Sequence, residues 1–163
     1  AAGKAAEAAA AASDLRKRQE LYASALAKLR ACQDDGARMV KENASLASIE
    51  VLVGGSPTRP QEAMAQCAQQ TEALKEPQRR ADLQLGFHEG PKKAYDSAKA
   101  LISKGRKNEA LPQLNNCIAD GRILENRYPD LKEQKFETGS ARMSLLELIQ
   151  ACVKERKALQ SAP

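Results

Sequence analysis

Two related stretches decide the fold: ALAKLRACQDDG at residues 25–36 and ALPQLNNCIADG at residues 110–121. Six of the twelve positions are identical, among them a cysteine (Cys32 or Cys117) and the final glycine (Gly36 or Gly121). Apolar residues recur at three- and four-residue spacing before each cysteine, which is typical of one face of an α-helix. The chain therefore uses one helical sequence twice.

The similarity continues beyond these stretches at a constant offset of 85 residues, without a gap. Cys67 falls on Cys152, so the two cysteines of each half are 35 residues apart. Met64 falls on Ile149, on the helical face of the second cysteine. Two unrelated helices rich in Ala and Leu would not share this cysteine spacing, so the sequence predicts an internal duplication.

Each half places a helix breaker between its cysteines. In the first half it is GGSPTRP at residues 54–60; in the second it is divided between RYPDL at 127–131 and ETGS at 137–140. A helix, a breaker and a second helix form an antiparallel hairpin, in which residues equidistant from the turn face each other. We therefore predict an all-α protein of two duplicated antiparallel helical hairpins, with four to six helices in a bundle.

The predicted hairpins bring the cysteines of each half together, favouring the disulfides Cys32–Cys67 and Cys117–Cys152. Each would stabilise its hairpin by roughly 3–4 kcal/mol in the chain-entropy model. The four cysteines also permit Cys32–Cys117 with Cys67–Cys152, and free thiols in a reducing compartment remain a third alternative.

These patterns divide the chain into four segments. Residues 1–12 are expected to be an Ala-rich lead-in or spacer, 13–85 the first hairpin repeat, 86–106 a basic turn and connecting helix, and 107–163 the second repeat. Within the connecting segment we predict a turn at Gly86, Gly90 and Pro91, followed by a helix that ends at Gly105.

The positive charge is concentrated in the middle of the chain. Residues 75–107 hold nine Lys or Arg and four Asp or Glu, and this excess of +5 equals the formal net charge of the protein. Such a segment favours contact with an acidic protein surface or with anionic lipid headgroups. Nucleic acid is disfavoured because aromatic residues for base stacking make up only 3% of the chain. The candidate contact residues are Arg79, Arg80, Lys92, Lys93, Lys104, Arg106 and Lys107.

The stretch AYDSAKALISKGRKNEALPQL, residues 94–114, resembles a tetratricopeptide unit: a helix, a glycine turn and a helix that opens with Glu-Ala-Leu. The resemblance covers about twenty residues and does not include the cysteines, and the period of 85 differs from the period of about 34 in that family. It implies a short tetratricopeptide-like array acting as a helical scaffold for a protein partner.

No set of residues predicts catalysis. The cysteines lack C-x-x-C spacing and His88 is the only histidine, which argues against zinc. His88 follows Gly86 and precedes Gly90, so we interpret it as a solvated loop residue. Nucleotide-binding glycine motifs and the nucleophile elbow are absent from the sequence. We therefore expect a protein that is not an enzyme and that needs no cofactor or metal.

Because the cysteines are expected to be paired, we predict that the protein is located in an oxidising compartment, a periplasm or the cell exterior. A start at Ala1 is expected of a mature secreted chain or of a trimmed piece. No apolar run approaches the length of a transmembrane helix. The function we predict is a protein-interaction module, an accessory subunit or adaptor of an envelope or secreted assembly. The alternative is a small-ligand or lipid-binding bundle with a cavity between the hairpins.

Overall fold

The computed structural model describes residues 2–53, 56–138 and 141–161, and this part of the chain is mostly helical. A 3₁₀ turn at Ala44–Ser48 and a π-helical segment at His88–Lys92 interrupt the α-helices. The helices are α1 (Ala2–Ala11), α2 (Leu15–Glu42), α3 (Pro60–Phe87), α4 (Lys93–Ser103), α5 (Lys107–Arg127) and α6 (Leu145–Ser161). The strands are β1 (Val51–Val53), β2 (Ser56–Thr58), β3 (Lys135–Glu137) and β4 (Arg142–Ser144).

The chain forms two compact units, Ala1–Ala81 and Asp82–Pro163. In unit 1, α1 packs on α2, and α2 runs antiparallel to the first part of α3. The side-chain amide of Gln33 donates a hydrogen bond of 3.0 Å to the Thr71 hydroxyl between these two helices. The buried core of unit 1 consists of four alanines, two leucines and one tyrosine. They are Ala9, Tyr22, Ala25, Leu26, Leu29, Ala63 and Ala81.

Unit 2 has the larger core. The end of α3, the π segment and α4–α6 surround it, and the rings of Phe87 and Phe136 lie 5.0 Å apart at its centre. Leu114, Leu145 and Leu148 are fully buried beside them. Burial of large apolar side chains is the main source of folding free energy, so unit 2 is expected to be the more stable unit.

Both predicted disulfides are confirmed. Cys32 is bonded to Cys67 and Cys117 to Cys152, with 6.4 Å between the Cα atoms in each pair. All four cysteines are therefore paired. The alternatives of cross-repeat pairing and free thiols are wrong in this structure.

The connections between the cysteine-bearing helices contain short β-hairpins that an all-α prediction does not include. β1 pairs with β2 in the register Val51↔Thr58, and β3 pairs with β4 in the register Phe136↔Met143. In the first hairpin the tip residues 54 and 55 of the predicted breaker lie outside the described residues, as do residues 139 and 140 in the second.

The predicted turn at Gly86, Gly90 and Pro91 is wrong, because the chain stays helical from α3 through the π segment into α4. A Cβ atom at Gly86 would lie 2.9 Å from Leu124 Cδ2, so this glycine permits a close helix contact rather than a turn. Pro91 is fully buried in the wider π turn. Local insertions of this kind let a helix continue past a residue that has no N–H group.

Two further predictions from the sequence concern α1 and the end of α4. Residues Ala2–Ala11 of the predicted lead-in or spacer form a helix, and Ala9 is fully buried against Tyr22 and Ala81. Gly105 ends α4 as predicted, with a φ of +71° that favours glycine.

Candidate functional site

The sequence-predicted basic residues are only partly available to a partner. Arg79 and Arg80 both form ion pairs with Glu76 in unit 1. In unit 2, Lys92 pairs with Asp96 and Arg106 pairs with Glu109.

The remaining three predicted residues, Lys93, Lys104 and Lys107, are exposed and have no ion-pair partner in the part of the chain that the structure describes. Lys104 and Lys107 lie on either side of the Gly105 turn, and Lys93 begins α4. These three lysines are therefore the predicted contact residues that remain available to a partner.

His88 is not the solvated loop residue that its flanking glycines indicated. It lies in the π segment, half-buried, with its ring edge-on to Phe87 at 5.2 Å. Burial lowers the pKa of His88, the nearby positive charge of Lys92 lowers it further, and Asp96 partly opposes these effects. The ring of His88 therefore lies against the core residue Phe87, with its neutral form favoured.

A groove with a volume of about 410 Å³ lies between α5 and α6. We call it the α5–α6 groove. Its floor is apolar and its edges carry three cations. It is lined by Arg122 from α5 and by Leu146, Ile149, Gln150, Val153, Lys154 and Lys157 from α6.

Close packing of the two helices sets the depth of the groove. A Cβ atom at Gly121 would lie only 2.5 Å from Ile149 Cγ1, so glycine is needed for α5 to approach α6 this closely. The buried disulfide between Cys117 and Cys152 joins the same two helices. The groove is therefore shallow, and its two walls are fixed relative to each other.

A hydrogen-bonded cap fixes the start of α6. The backbone N–H of Ser144 donates to Glu147 Oε2 at 2.8 Å, and the N–H of Glu147 donates to Ser144 Oγ at 3.2 Å. This reciprocal pair is a capping box, and the sequence Ser-Leu-Leu-Glu at 144–147 contains its signal. The hydrogen bond from Ser144 lowers the pKa of Glu147, and Lys135 lowers it further.

The cations of the groove differ in their pairing. Arg122 donates to Glu125 on its own helix. Lys154 and Lys157, one turn apart on α6, are exposed, and among the described residues no carboxylate pairs with either of them. Like charges at this helical spacing repel each other weakly. An anionic group bound at this end of the groove would relieve that repulsion.

The α5–α6 groove was not predicted from the sequence, although α6 carried a signal. Leu145, Leu148 and Cys152 form the face that enters the core. Leu146 and Val153 lie off that face and stay partly exposed, beside Lys154. A helix that is apolar beyond its core face can have a second contact to make.

Unit 1 shows a different exposed feature, the β1–β2 hairpin. Leu52 in β1 is 77% exposed, and Ile49, two residues before the strand, is 48% exposed. The corresponding hairpin of unit 2 places Phe136 in the core instead. The short segment around Leu52 holds only the Glu50 carboxylate and, at its end, the Arg59 guanidinium, so its charge gives no preference for a partner.

The described residues contain no group of three or more His, Cys, Asp or Glu side chains arranged to hold a metal ion. Across the same residues, every helix is too short or too polar to cross a bilayer. The sequence matches no known family model, and neither a curated protein nor a solved structure is significantly similar to it.

Proposed function

We propose that this chain is a non-catalytic interaction module that binds an acidic protein partner in an oxidising compartment, a periplasm or the cell exterior. Such a module would serve as an accessory subunit or adaptor of an envelope or secreted assembly. The observation that carries the proposal is the α5–α6 groove, where Lys154 and Lys157, with no carboxylate partner among the described residues, lie beside an apolar floor. Apolar contact supplies affinity, and the lysines select a partner of negative charge.

The disulfides support the proposed compartment. Each closes a loop of 35 residues, and neither belongs to a metal or redox motif such as C-x-x-C. Structural disulfides of this kind persist outside the reducing cytosol.

The agreement between the two hairpins supports a role as a scaffold. The disulfides, the glycine contacts Gly36–Met64 and Gly121–Ile149, and the strand registers all match at the offset of 85. We infer that the two antiparallel hairpins are copies of one unit. The helix pair α4–α5 around Gly105 covers the stretch that resembles a tetratricopeptide unit, and repeats of that family commonly bind protein partners.

The lining of the groove also favours a second candidate, a small anionic amphiphile. Lys154 and Lys157 could hold a carboxylate or phosphate headgroup while Leu146 and Val153 contact an apolar tail. We rank this candidate second because the groove is open along its length. Small-molecule sites usually enclose most of the ligand's surface.

Affinity retention tests the proposal. The oxidised protein and the variant Lys154→Glu/Lys157→Glu would be immobilised in parallel and exposed to the secreted and envelope fractions of the source organism. We expect the wild type to retain an acidic protein that is released when the salt concentration rises to about 0.5 M. The variant should lose most of this retention. Equal retention by both proteins would contradict the proposal, and a lipid extracted from the wild type alone would favour the second candidate.

A further inference from the structure

We infer that the occupant of the α5–α6 groove is one amphipathic helix with acidic residues at its ends, laid along α6. This inference rests on the proposed function and specifies the partner's binding element. The lining positions of α6 follow the spacing of one helical face, from Leu146 to Lys157. That face extends over twelve residues, a rise of about 16 Å at 1.5 Å per residue. A partner helix of three turns has the same length.

The shape of the groove favours a helix over a compact ligand. Gly121 brings the helix axes together, and the Cys117–Cys152 disulfide prevents α5 and α6 from separating. The floor at Ile149 is also part of the core and is only 1% exposed, so a ligand cannot penetrate below it. An occupant must therefore lie along the surface. An apolar helix face in a hydrophobic groove is a common form of peptide recognition.

The charges of the groove lie toward its two ends. Because α5 and α6 are antiparallel and Cys117 faces Cys152, Arg122 lies level with the start of α6, near Ile149. Lys157 is eight residues further along α6, about 12 Å away. Within the part of the chain that the structure describes, Lys154 and Lys157 have no carboxylate partner, whereas a carboxylate at Arg122 would compete with Glu125. The partner's acidic residues should therefore contribute most at the Lys154–Lys157 end.

The first hairpin shows that the fold does not require this lining. The positions 85 residues earlier are exposed and small, polar or acidic: Gln61 for Leu146, Ala68 for Val153, Gln69 for Lys154 and Glu72 for Lys157. The packing contact beneath is kept, because Met64 meets Gly36 as Ile149 meets Gly121. The first hairpin thus has the same helical frame without the apolar floor and without the cations. We attribute the apolar floor and the cations of the second hairpin to a binding role that the first hairpin does not share.

Fluorescence anisotropy with designed peptides tests the inference. The probe is a labelled peptide of about 15 residues with leucines at three- and four-residue spacing and glutamates at both ends. The control peptides are a scrambled sequence and a version with a central proline, which prevents a continuous helix. We expect the probe to bind the oxidised protein and both controls to bind at least about tenfold more weakly.

Two variants place the contact. One replaces Lys154 and Lys157 with Gln and Glu, the residues of the first hairpin, and these exposed sites should not affect folding. The second adds Leu146→Gln and Val153→Ala, with circular dichroism to confirm the fold. We expect about a tenfold loss of probe affinity in the first variant and a larger loss in the second.

Equal binding of the probe and the scrambled peptide would overturn the inference. The inference would also be overturned if an anionic fatty acid such as laurate binds in the groove and none of the peptides displaces it. If no peptide binds but the retention experiment still recovers an acidic protein through Lys154 and Lys157, the helical occupant is wrong and the proposed function stands. If neither a peptide nor an acidic protein binds, both the helical occupant and the proposed function are wrong.

Discussion

Two glycines at equivalent positions, Gly36 and Gly121, should respond differently to alanine. At Gly36 a Cβ would lie 2.5 Å from Met64 Cγ, but Met64 is unbranched and partly exposed and can change rotamer. Alanine also gains about 1 kcal/mol of helix propensity over glycine. We expect Gly36→Ala to change the free energy of unfolding by less than about 1 kcal/mol.

At Gly121 the obstacle is Ile149, which is β-branched, stiff and only 1% exposed. Gly121→Ala should therefore cost about 1–3 kcal/mol, as overpacking of a core usually does. Urea denaturation of the two variants under oxidising conditions measures both effects. A Gly121→Ala variant as stable as the wild type would refute the close packing of α5 on α6.

The half-buried His88 should make stability depend on pH. Burial and Lys92 lower its pKa in the folded state, whereas the unfolded value is about 6.5. The unfolded chain then binds the proton more readily, so His88 should reduce stability as the pH falls from about 6.5 through the folded pKa.

NMR titration of the single histidine ring should give a midpoint below 6.5 in the folded protein. The variant His88→Gln should lose this part of the pH dependence while keeping the acid response of the carboxylates. A midpoint at or above 6.5 would show that the ring is not buried in the π segment as described.

At the scale of the element, the N-terminal caps of α6 and α3 should differ in their contribution to stability. Ser144→Ala removes the hydroxyl that accepts from the Glu147 N–H, and we expect a cost of about 1 kcal/mol. The equivalent position in unit 1 is Arg59, whose N–H donates to Glu62 at 3.4 Å but which has no hydroxyl to return the bond. Arg59→Ser should therefore stabilise unit 1.

Thermal unfolding followed by circular dichroism compares the two cap variants. The expected result is opposite signs, a loss for Ser144→Ala and a gain for Arg59→Ser. The contribution of Glu147 should also fade in acid, as the pH falls through the lowered pKa of this carboxyl. Stabilisation by Ser144→Ala would contradict the capping box.

Elements with strong local signals were predicted, and those decided by packing were not. The cysteine-bearing helices follow from apolar periodicity, and their disulfides follow from equal spacing within each half. The prediction of a turn at Gly86 and Pro91 was wrong because tertiary packing determines these two positions. Gly86 accommodates the side chain of Leu124, and Pro91 lies in the core. Propensity describes the isolated chain, and packing overrides it.

The whole molecule should lose its two disulfides in order. Cys32 and Cys67 are partly exposed, whereas Cys117 and Cys152 are fully buried. A reductant needs access to sulfur, so Cys32–Cys67 should be reduced first. Unit 1 should then unfold before unit 2, because its core is the smaller and its disulfide contributes about 4 kcal/mol in the chain-entropy model.

Timed reduction, alkylation and peptide mass spectrometry measure this order. Alkylated Cys32 and Cys67 should accumulate while Cys117 and Cys152 remain linked, with part of the helical signal retained. The variant Cys32→Ser/Cys67→Ser provides the matched control, since unit 2 should remain folded in it. Simultaneous reduction of both bonds would contradict the difference in burial.

The candidate site was predictable only in part from the sequence. The excess of positive charge in residues 75–107 was visible, but four of the seven chosen residues form local ion pairs that a sequence does not reveal. The α5–α6 groove depends on how closely two helices approach. That distance is set by Gly121 and Ile149, whose repeat positions are visible in the sequence but whose contact is not.

The central claim is that two hairpins share one frame and only the second binds a partner, and site-specific photo-crosslinking tests it most directly. A photoreactive residue would replace Gln150 in the groove or, in the matched control, Ala65 at the equivalent exposed position of the first hairpin. In cells of the source organism, we expect a discrete crosslink to one acidic protein from position 150, abolished by Lys154→Glu/Lys157→Glu, and none from position 65. Equal crosslinking from both positions, or crosslinking from position 150 that survives the charge reversal, would contradict the account.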